Sequence, residues 1–277
     1  MRIPTALLAL LFAASLHAQA HAPLTSDKDL IIPRTSANRI VIPIAGSTPG
    51  GNGTFFRSDI TVINFRAAEQ RVELRWLPLG TSGAGIAPVT ITVPAQSGFF
   101  SEDFVTNILQ QSGLGAIDVR AVDANGELDP NAALHATARI WTPEPQVTNG
   151  TMSQTFPAIV PVTTNGLLRW IFGVRRNEQY RMNAGITNLS DTTQRFRVTT
   201  IGSTPAGAGE TTEVEVAAQS VSQFGLTGTA TGSFQVVVQN ISDAPSPNFI
   251  TWASSIDNVT GDAWSQMGFP APPQPQP

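Results

Sequence analysis

The chain has 277 residues, with 16 Lys and Arg against 20 Asp and Glu, so its formal net charge is −4. It has no cysteine, which excludes disulfides and thiolate chemistry, and it has no basic tract, which argues against nucleic acid or an anionic membrane as partner. Charged residues are only 13% of the chain, so we expect a surface rich in Ser, Thr, Asn and Gln.

The N-terminus carries the pattern of an export signal. Arg2 gives a positive start, an apolar run extends from Thr5 to Leu16, and small residues follow up to Ala22. This order is typical of a secretory signal peptide, and the run is shorter than the roughly 20 residues that span a bilayer. We predict a signal peptide at 1–22, a leader segment at 23–39 and an exported chain (secreted, periplasmic or on the cell surface) without membrane insertion after cleavage.

Strand patterns begin at Ile40 and continue along the first half. Val72 to Leu77 and Val89 to Val93 alternate apolar and polar residues, as half-buried strands do. One segment predicts a helix instead: Ser101 is a capping residue, apolar residues recur from Phe104 to Leu109, and Gly113 follows as a stop.

The same order of events returns in the second half of the chain. An aromatic-Arg motif with alternating aliphatics and a closing Asn recurs 124 positions later. The residues that define this repeat, for which we expect structural roles, are Arg57, Asp59, Asn64, Arg181, Asn183 and Asn188. The pattern predicts an all-β fold with two tandem antiparallel immunoglobulin-like β-sandwich domains, 40–158 and 159–271, and one short helix in the first. Residues 272–277 are predicted to be a Pro-rich tail.

The motifs of the second half carry a resemblance. They comprise Gly173 to Asn177, Tyr180 to Asn183, Ile186 to Thr192 and the Ala-Gln-Ser segment at Ala218 to Ser220. This order resembles uncharacterised secreted bacterial proteins with tandem immunoglobulin-like β-sandwich repeats. The resemblance implies an exported surface or matrix module, and it brings no catalytic motif.

The candidate binding residues lie on one predicted strand. His135, Arg139 and Trp141 share the face opposite Leu134 and Ala138. Trp141 is the best candidate for an exposed platform that stacks on sugar rings, although packing in cores or between domains is the commoner use of tryptophan. His135 is the one histidine beyond the predicted signal peptide, so we expect no metal site, no cofactor and no histidine-based catalysis.

Carboxylates offer two weaker alternatives. Oxygen side chains alternate from Asp123 to Asp129 and fit a calcium loop, but the glycine is misplaced, so a polar hairpin loop is the preferred interpretation. Glu102 and Asp103 resemble an acid–base pair, yet adjacent positions in a helix point apart. An enzyme using carboxylates alone, such as a glycosidase, therefore stays open only as a third hypothesis.

The sequence thus favours an exported, non-enzymatic structural or adhesive interaction module of the bacterial envelope or cell exterior. Its partner is a protein or glycan surface that the sequence does not identify. The alternative is a carbohydrate-binding module that uses exposed aromatic residues.

Overall fold

The protein is described from a computed structural model. It describes residues 37–144, 147–161, 166–202, 210–225 and 231–270. The predicted signal peptide at 1–22, the leader segment up to residue 36 and the predicted tail at 272–277 lie outside the described residues.

Among the described residues before residue 158 there are eight strands and one short helix. They are β1 (Arg39–Pro49), β2 (Phe55–Asn64), β3 (Gln70–Pro78), β4 (Val89–Val93), β5 (Ser97–Ser101), α1 (Phe104–Asn107), β6 (Gly113–Val122), β7 (Leu134–Pro143) and β8 (Thr151–Pro157). A single 3-10 turn at Gly51–Gly53 separates β1 from β2.

The described residues after 167 form nine further strands. They are β9 (Leu168–Arg176), β10 (Tyr180–Asn188), β11 (Gln194–Gly202), β12 (Thr211–Val216), β13 (Ser220–Phe224), β14 (Gly232–Asn240), β15 (Phe249–Asp257), β16 (Ala263–Met267) and β17 (Phe269–Pro270). Every ladder between these named strands is antiparallel.

The strands of the first half form one sheet that divides into two layers. Its order is β4-β3-β6-β1-β2-β7-β8, with β5 paired to β2. β1 and β2 pair only at Thr48–Phe56 and Pro49–Phe55, so the sheet turns a corner there. We call β4-β3-β6-β1 layer 1 and β5-β2-β7-β8 layer 2.

The strands of the second half form two separate sheets. The order β13-β10-β15-β16 makes layer 3, and the order β12-β11-β14-β9-β17 makes layer 4. Each strand from β9 to β16 corresponds to the strand of the first half whose number is lower by eight. With this correspondence, layer 3 has the strand order of layer 2. Layer 4 has the strand order of layer 1, with β17 added. The two halves therefore have the same strand order.

The predicted fold class is confirmed: the chain is all-β and antiparallel, with one short helix in the first half. This arrangement is consistent with β-sandwich domains. The immunoglobulin-like assignment stays a prediction, because the halves have eight and nine described strands in paired layers, whereas the constant-type immunoglobulin fold has seven.

Each half has an apolar core between its two layers. In the first half, Ile117 and Val119 of β6 meet Ile60 and Val62 of β2, and none of the four is exposed. This follows from the period of two along each strand, which places alternate side chains on one face. In the second half the core contains the equivalent sets from β9, β10, β11, β14 and β15, including Ile171, Ile186, Phe196, Val236 and Phe249.

A third apolar cluster lies between the two halves. Val41 and Leu77 of layer 1 belong to the same cluster as Val221 and Trp252 of layer 3. Phe156 of β8 meets the Trp252 ring edge-on, with centroids 5.5 Å apart. The segment that follows β8 leads out of the first half. Its Ile159 exchanges two backbone hydrogen bonds of 2.8 Å with Val41, so this segment is fastened to β1.

The helix differs from its prediction. α1 covers only Phe104–Asn107, and its N-cap position is Asp103 in a left-handed conformation with φ 42°. Ser101 does not cap the helix, because it is the last residue of β5 and pairs with Ile60 of β2. Within the described parts of the chain, no helix has the length and apolar character needed to cross a membrane.

Candidate functional site

The closing asparagine of the repeat makes the same contacts in both halves. The Asn64 amide nitrogen donates to the carbonyl oxygens of Ala68 (2.7 Å), Val93 (3.2 Å) and Pro94 (3.1 Å). Its Oδ1 accepts the Arg66 N–H at 2.9 Å. The side chain is fully buried, and it ties the end of β2 to the turn after β4.

Asn188 repeats this arrangement at the end of β10. Its amide nitrogen donates to the carbonyls of Thr192 (2.8 Å), Val216 (3.1 Å) and Ala217 (2.9 Å). Its Oδ1 accepts both the backbone N–H (3.0 Å) and the hydroxyl (2.7 Å) of Ser190. Because these bonds satisfy buried backbone groups, both asparagines act within the fold and are not available to a ligand.

The other repeated residues lie in different surroundings. Asp59 on β2 accepts a long hydrogen bond of 3.4 Å from the Asp103 backbone N–H. Asn183, at the equivalent position on β10, is half-buried and lines a cleft between the two halves. Arg181 is exposed and donates to Asn258 Oδ1 at 3.1 Å.

Two arginines and a tryptophan gather on the outward side of layer 2. In the antiparallel ladder of β2 and β7, Arg57 pairs with Trp141 and Asp59 pairs with Arg139. The guanidinium carbons of Arg57 and Arg139 lie 5.9 and 5.5 Å from the Trp141 ring centroid. Phe55 joins from two residues before Arg57, with its ring centroid 4.9 Å from the same guanidinium. We call this set, Phe55, Arg57, Asp59, Arg139 and Trp141, the Trp141 face.

The charges of the Trp141 face are balanced by loose ion pairs. Arg57 Nε lies 3.6 Å from Asp103 Oδ2, and Arg139 NH1 lies 3.7 Å from Asp59 Oδ2. The two arginine side chains are 38% and 41% exposed, so water screens these pairs and each contributes little to stability. The arginines are therefore free to exchange these acids for groups of a partner at small cost.

Two polar atoms at this place lack hydrogen-bond partners. Trp141 Nε1 and Asp103 Oδ1 are both shielded from solvent and unpaired. Unsatisfied buried polar atoms are uncommon in folded proteins, and each calls for an explanation such as a missing ligand or water.

His135 does not join this cluster. The register places His135 opposite Ile63, while Trp141 lies opposite Arg57, six residues farther along β7. At about 3.3 Å per residue the two side chains are roughly 20 Å apart. The sequence therefore predicted correctly that Arg139 and Trp141 lie together. It did not predict that Phe55 joins them, although Phe55 stands two residues before Arg57 and so falls on the same face of β2.

A second aromatic group occupies the edge of layer 4. The rings of Trp170 and Phe172 are stacked, with centroids 6.0 Å apart and planes 12° from parallel. Phe269 on β17 lies directly opposite Trp170 in the ladder, and Phe172 and Phe269 are 49% and 58% exposed. We call these three residues the Trp170 patch.

Two carboxylates of the candidate calcium loop, Asp123 and Asp129, already bind groups of the chain itself. Asp123 Oδ1 accepts the backbone N–H groups of Asn125 and Glu127. The Asn131 backbone N–H, together with the Arg66 guanidinium 2.5 Å away, lowers the pKa of Asp129 below its usual value. Among the described residues, no group of three or more His, Cys, Asp and Glu side chains is placed to hold a metal ion.

The loop from Asp123 to Asp129 is a polar hairpin turn, as the sequence favoured: Leu128 pairs antiparallel with Val122, the Asp123 N–H donates to the Glu127 carbonyl (2.8 Å), and the Asp129 N–H donates to the Ala121 carbonyl (3.0 Å). It joins β6 of layer 1 to β7 of layer 2, two strands that do not pair with each other. The return segment of the loop therefore pairs with the end of β6 before the chain crosses to layer 2.

Comparison with known proteins gives no relative from which a function follows. No protein-family profile matches the chain, and no curated protein matches its sequence.

Proposed function

We propose that the chain is an exported, non-enzymatic interaction module of the bacterial envelope or cell exterior, built from two tandem immunoglobulin-like β-sandwich repeats. The equal strand orders of the two halves and the matching contacts of Asn64 and Asn188 support the repeat. The signal-peptide pattern of residues 1–22 supports export.

The observation that carries the interaction role is the Trp141 face. Arg, Trp and other aromatic residues are the side chains that contribute most often to the energetic centres of protein interfaces. Here two half-exposed arginines flank a tryptophan on a rigid antiparallel sheet, and their internal ion pairs are long. This face suits a protein partner that presents carboxylates around an apolar centre.

Binding to the surface of the cells that export the chain tests this role. Fluorescently labelled residues 23–277 are added to cells, and bound protein is measured by flow cytometry. Trp141→Ala and Arg57→Ala are each expected to weaken binding by at least about tenfold. The control is Arg197→Ala, which removes an exposed arginine from layer 4. If both face variants are folded and bind as the unsubstituted chain does, this role is wrong.

The Trp170 patch favours the alternative function, a carbohydrate-binding module. Exposed aromatic rings at a sheet edge provide apolar faces on which sugar rings stack. A glycan array distinguishes the two functions: carbohydrate binding predicts a signal that Trp170→Ala abolishes and that Trp141→Ala leaves in place. If no glycan is bound, this alternative is excluded.

A further inference from the structure

Layer 1 and layer 3 cover each other within the chain through their outward faces. Val41 and Leu77 on the outward side of layer 1 are buried in the same apolar cluster as Val221 and Trp252 on the outward side of layer 3. Because the two halves have the same strand order, layer 4 is the counterpart of layer 1, and layer 2 is the counterpart of layer 3. Among the described residues, none of layer 4 belongs to this cluster.

A bulge that occurs in both halves shows which residues of layers 1 and 4 correspond. The register of β1 with β6 shifts just after Ile42, and the register of β9 with β14 shifts just after Ile171. Val41 precedes the first of these residues and Trp170 precedes the second. Trp170 of layer 4 therefore takes the place that Val41 has in layer 1.

The ladders give two further correspondences on the same side of the sheets. Phe269 pairs with Trp170 as Ile159 pairs with Val41. Ile201 takes the place of Leu77, because each pairs with the residue that stands one position before the bulge on the neighbouring strand. The outward face of layer 4 is thus apolar at the positions that the second half covers in layer 1.

The exposure of these equivalent positions differs sharply. Val41 and Leu77 are 0% and 3% exposed, whereas Ile201 and Phe269 are 37% and 58% exposed. Contiguous apolar residues on a protein surface mark an interaction site more often than chance allows. The outward face of layer 4 has the character of a face that packs against another sheet.

The closing asparagines relate layer 2 to layer 3 in the same way. Thr137 takes the place of Trp252, because each stands three residues after the partner of the closing asparagine. Gly98 takes the place of Val221, because each pairs with the residue just before that asparagine. Phe100, which is 58% exposed, adds an apolar edge two residues after Gly98.

The sizes of these residues indicate which surface fits the outward face of layer 4. Inside the chain, layer 1 contributes the small Val41 and layer 3 contributes the large Trp252. In the other two layers the sizes are reversed, since layer 4 has Trp170 and layer 2 has Thr137 and Gly98. Large rings set against small residues can pack at the density of a protein interior. Two layer 4 faces would instead place large rings against large rings.

We propose that the outward face of layer 4 binds the outward face of layer 2 in a second copy of this chain. The contact repeats, between copies, the arrangement that layers 1 and 3 have within one copy. Because its two surfaces differ, the contact is heterologous and does not stop at a dimer as a two-fold contact does. The proposal goes beyond the interaction role proposed above, and it is tested on purified protein alone, so either can fail without the other.

Analytical ultracentrifugation of purified residues 23–277 measures the self-association. Concentrations extend to about 1 mM, so that weak contacts are also detected. The average mass is expected to rise with concentration and to pass that of a dimer.

Two variants each block one of the two faces. Phe172→Arg adds a charge to the Trp170 patch at an exposed residue. Gly98→Arg adds the same charge to layer 2, where a new Cβ meets only ordinary contacts, the nearest being Thr61 Cγ2 at 3.6 Å. Each is expected to weaken self-association by at least about tenfold. Val259→Arg, at a residue 85% exposed in the turn after β15, is the matched control and should change nothing.

An equimolar mixture of the two variants gives the decisive result. Phe172→Arg keeps its layer 2 face and Gly98→Arg keeps its layer 4 face, so together they form one contact. The expected product is a pair of one copy of each variant, with no larger species. Circular dichroism of the separate variants checks that both are folded.

Three results would overturn the proposal. The first is an unsubstituted chain that stays monomeric over the whole range of concentrations. The second is a dimer plateau that Gly98→Arg leaves unchanged, which means that layer 4 binds a second layer 4. The third is a mixture of folded variants that stays monomeric while the unsubstituted chain associates, which places the contact elsewhere.

Discussion

The contacts of Asn64 and Asn188 allow a quantitative test of how the two halves are held. Truncation to alanine in either half removes one side-chain donor that serves three backbone carbonyls and one acceptor that serves a backbone N–H. In the first half, the bond to the Val93 carbonyl is buried, and the other bonds lie in partly buried positions where water replaces the amide.

A buried backbone group left without a partner costs about 1–3 kcal/mol, and a partly buried one costs less. Asn64→Ala is therefore expected to lower the free energy of unfolding by about 3 kcal/mol. Asn188→Ala leaves the Val216 carbonyl and the Ser190 N–H unpaired in buried positions, while the Ser190 hydroxyl keeps its hydrogen bond to the Thr192 carbonyl. Its expected loss is therefore larger, about 4 kcal/mol.

Urea unfolding followed by tryptophan fluorescence measures both losses. The control is Asn107→Ala, an exposed asparagine that donates to a single carbonyl, with an expected change within about 0.5 kcal/mol. In a thermal scan, the Asn64 variant should melt about 6–12 °C below the parent chain. Two results would contradict this reasoning: a loss for Asn64→Ala no larger than that for Asn107→Ala, or a loss for Asn188→Ala clearly smaller than that for Asn64→Ala. Either would mean that the number of buried hydrogen-bond partners does not determine the loss of stability.

Three further predictions concern packing and charge. Gly185→Ala should cost about 2–3 kcal/mol in urea unfolding, because its new Cβ collides with the Trp252 indole; Gly85→Ala, whose Cβ meets nothing, should be close to neutral. Asp118→Ala removes the nearly buried carboxylate that two arginines share, and should cost about 3 kcal/mol by the same assay. The lowered pKa of Asp129 stabilises the fold at neutral pH, and this contribution is lost as the pH falls below about 3.9. Asp129→Asn should therefore be less stable than the parent near neutral pH, with a difference that shrinks on acidification; a constant difference would contradict the lowered pKa.

Local patterns in the sequence predicted the features that depend on local physics. The alternation from Val72 to Leu77 gave a strand because a period of two places one face in the core, and β3 covers these residues. The repeated motif singled out Asn64 and Asn188, and their hydrogen bonds are the same in kind and number of carbonyls. In both cases the signal in the sequence is local, because it is either the period of two within one strand or one short motif that occurs twice.

Features that depend on pairing between distant segments were not predictable in this way. The helix expected from Ser101 is reduced to four residues because β5 pairs with β2, a partner about 40 positions earlier. The cleft between the halves is lined by residues as far apart in the sequence as Gln154 and Trp252, and no motif joins them. His135 and Trp141 share a face, as alternation predicts, but strand length separates them.

The apolar cluster between the halves has a mechanical consequence. Two domains joined only by a linker move independently of each other, and the pair bends at the linker under load. Here the packing of Leu77 and Val41 against Val221 and Trp252 must be broken before the halves separate, which exposes apolar area on both sides. Tension that enters one half thus passes to the other through packed side chains, in parallel with the single peptide segment that joins them, and the two halves resist bending as one stiff unit.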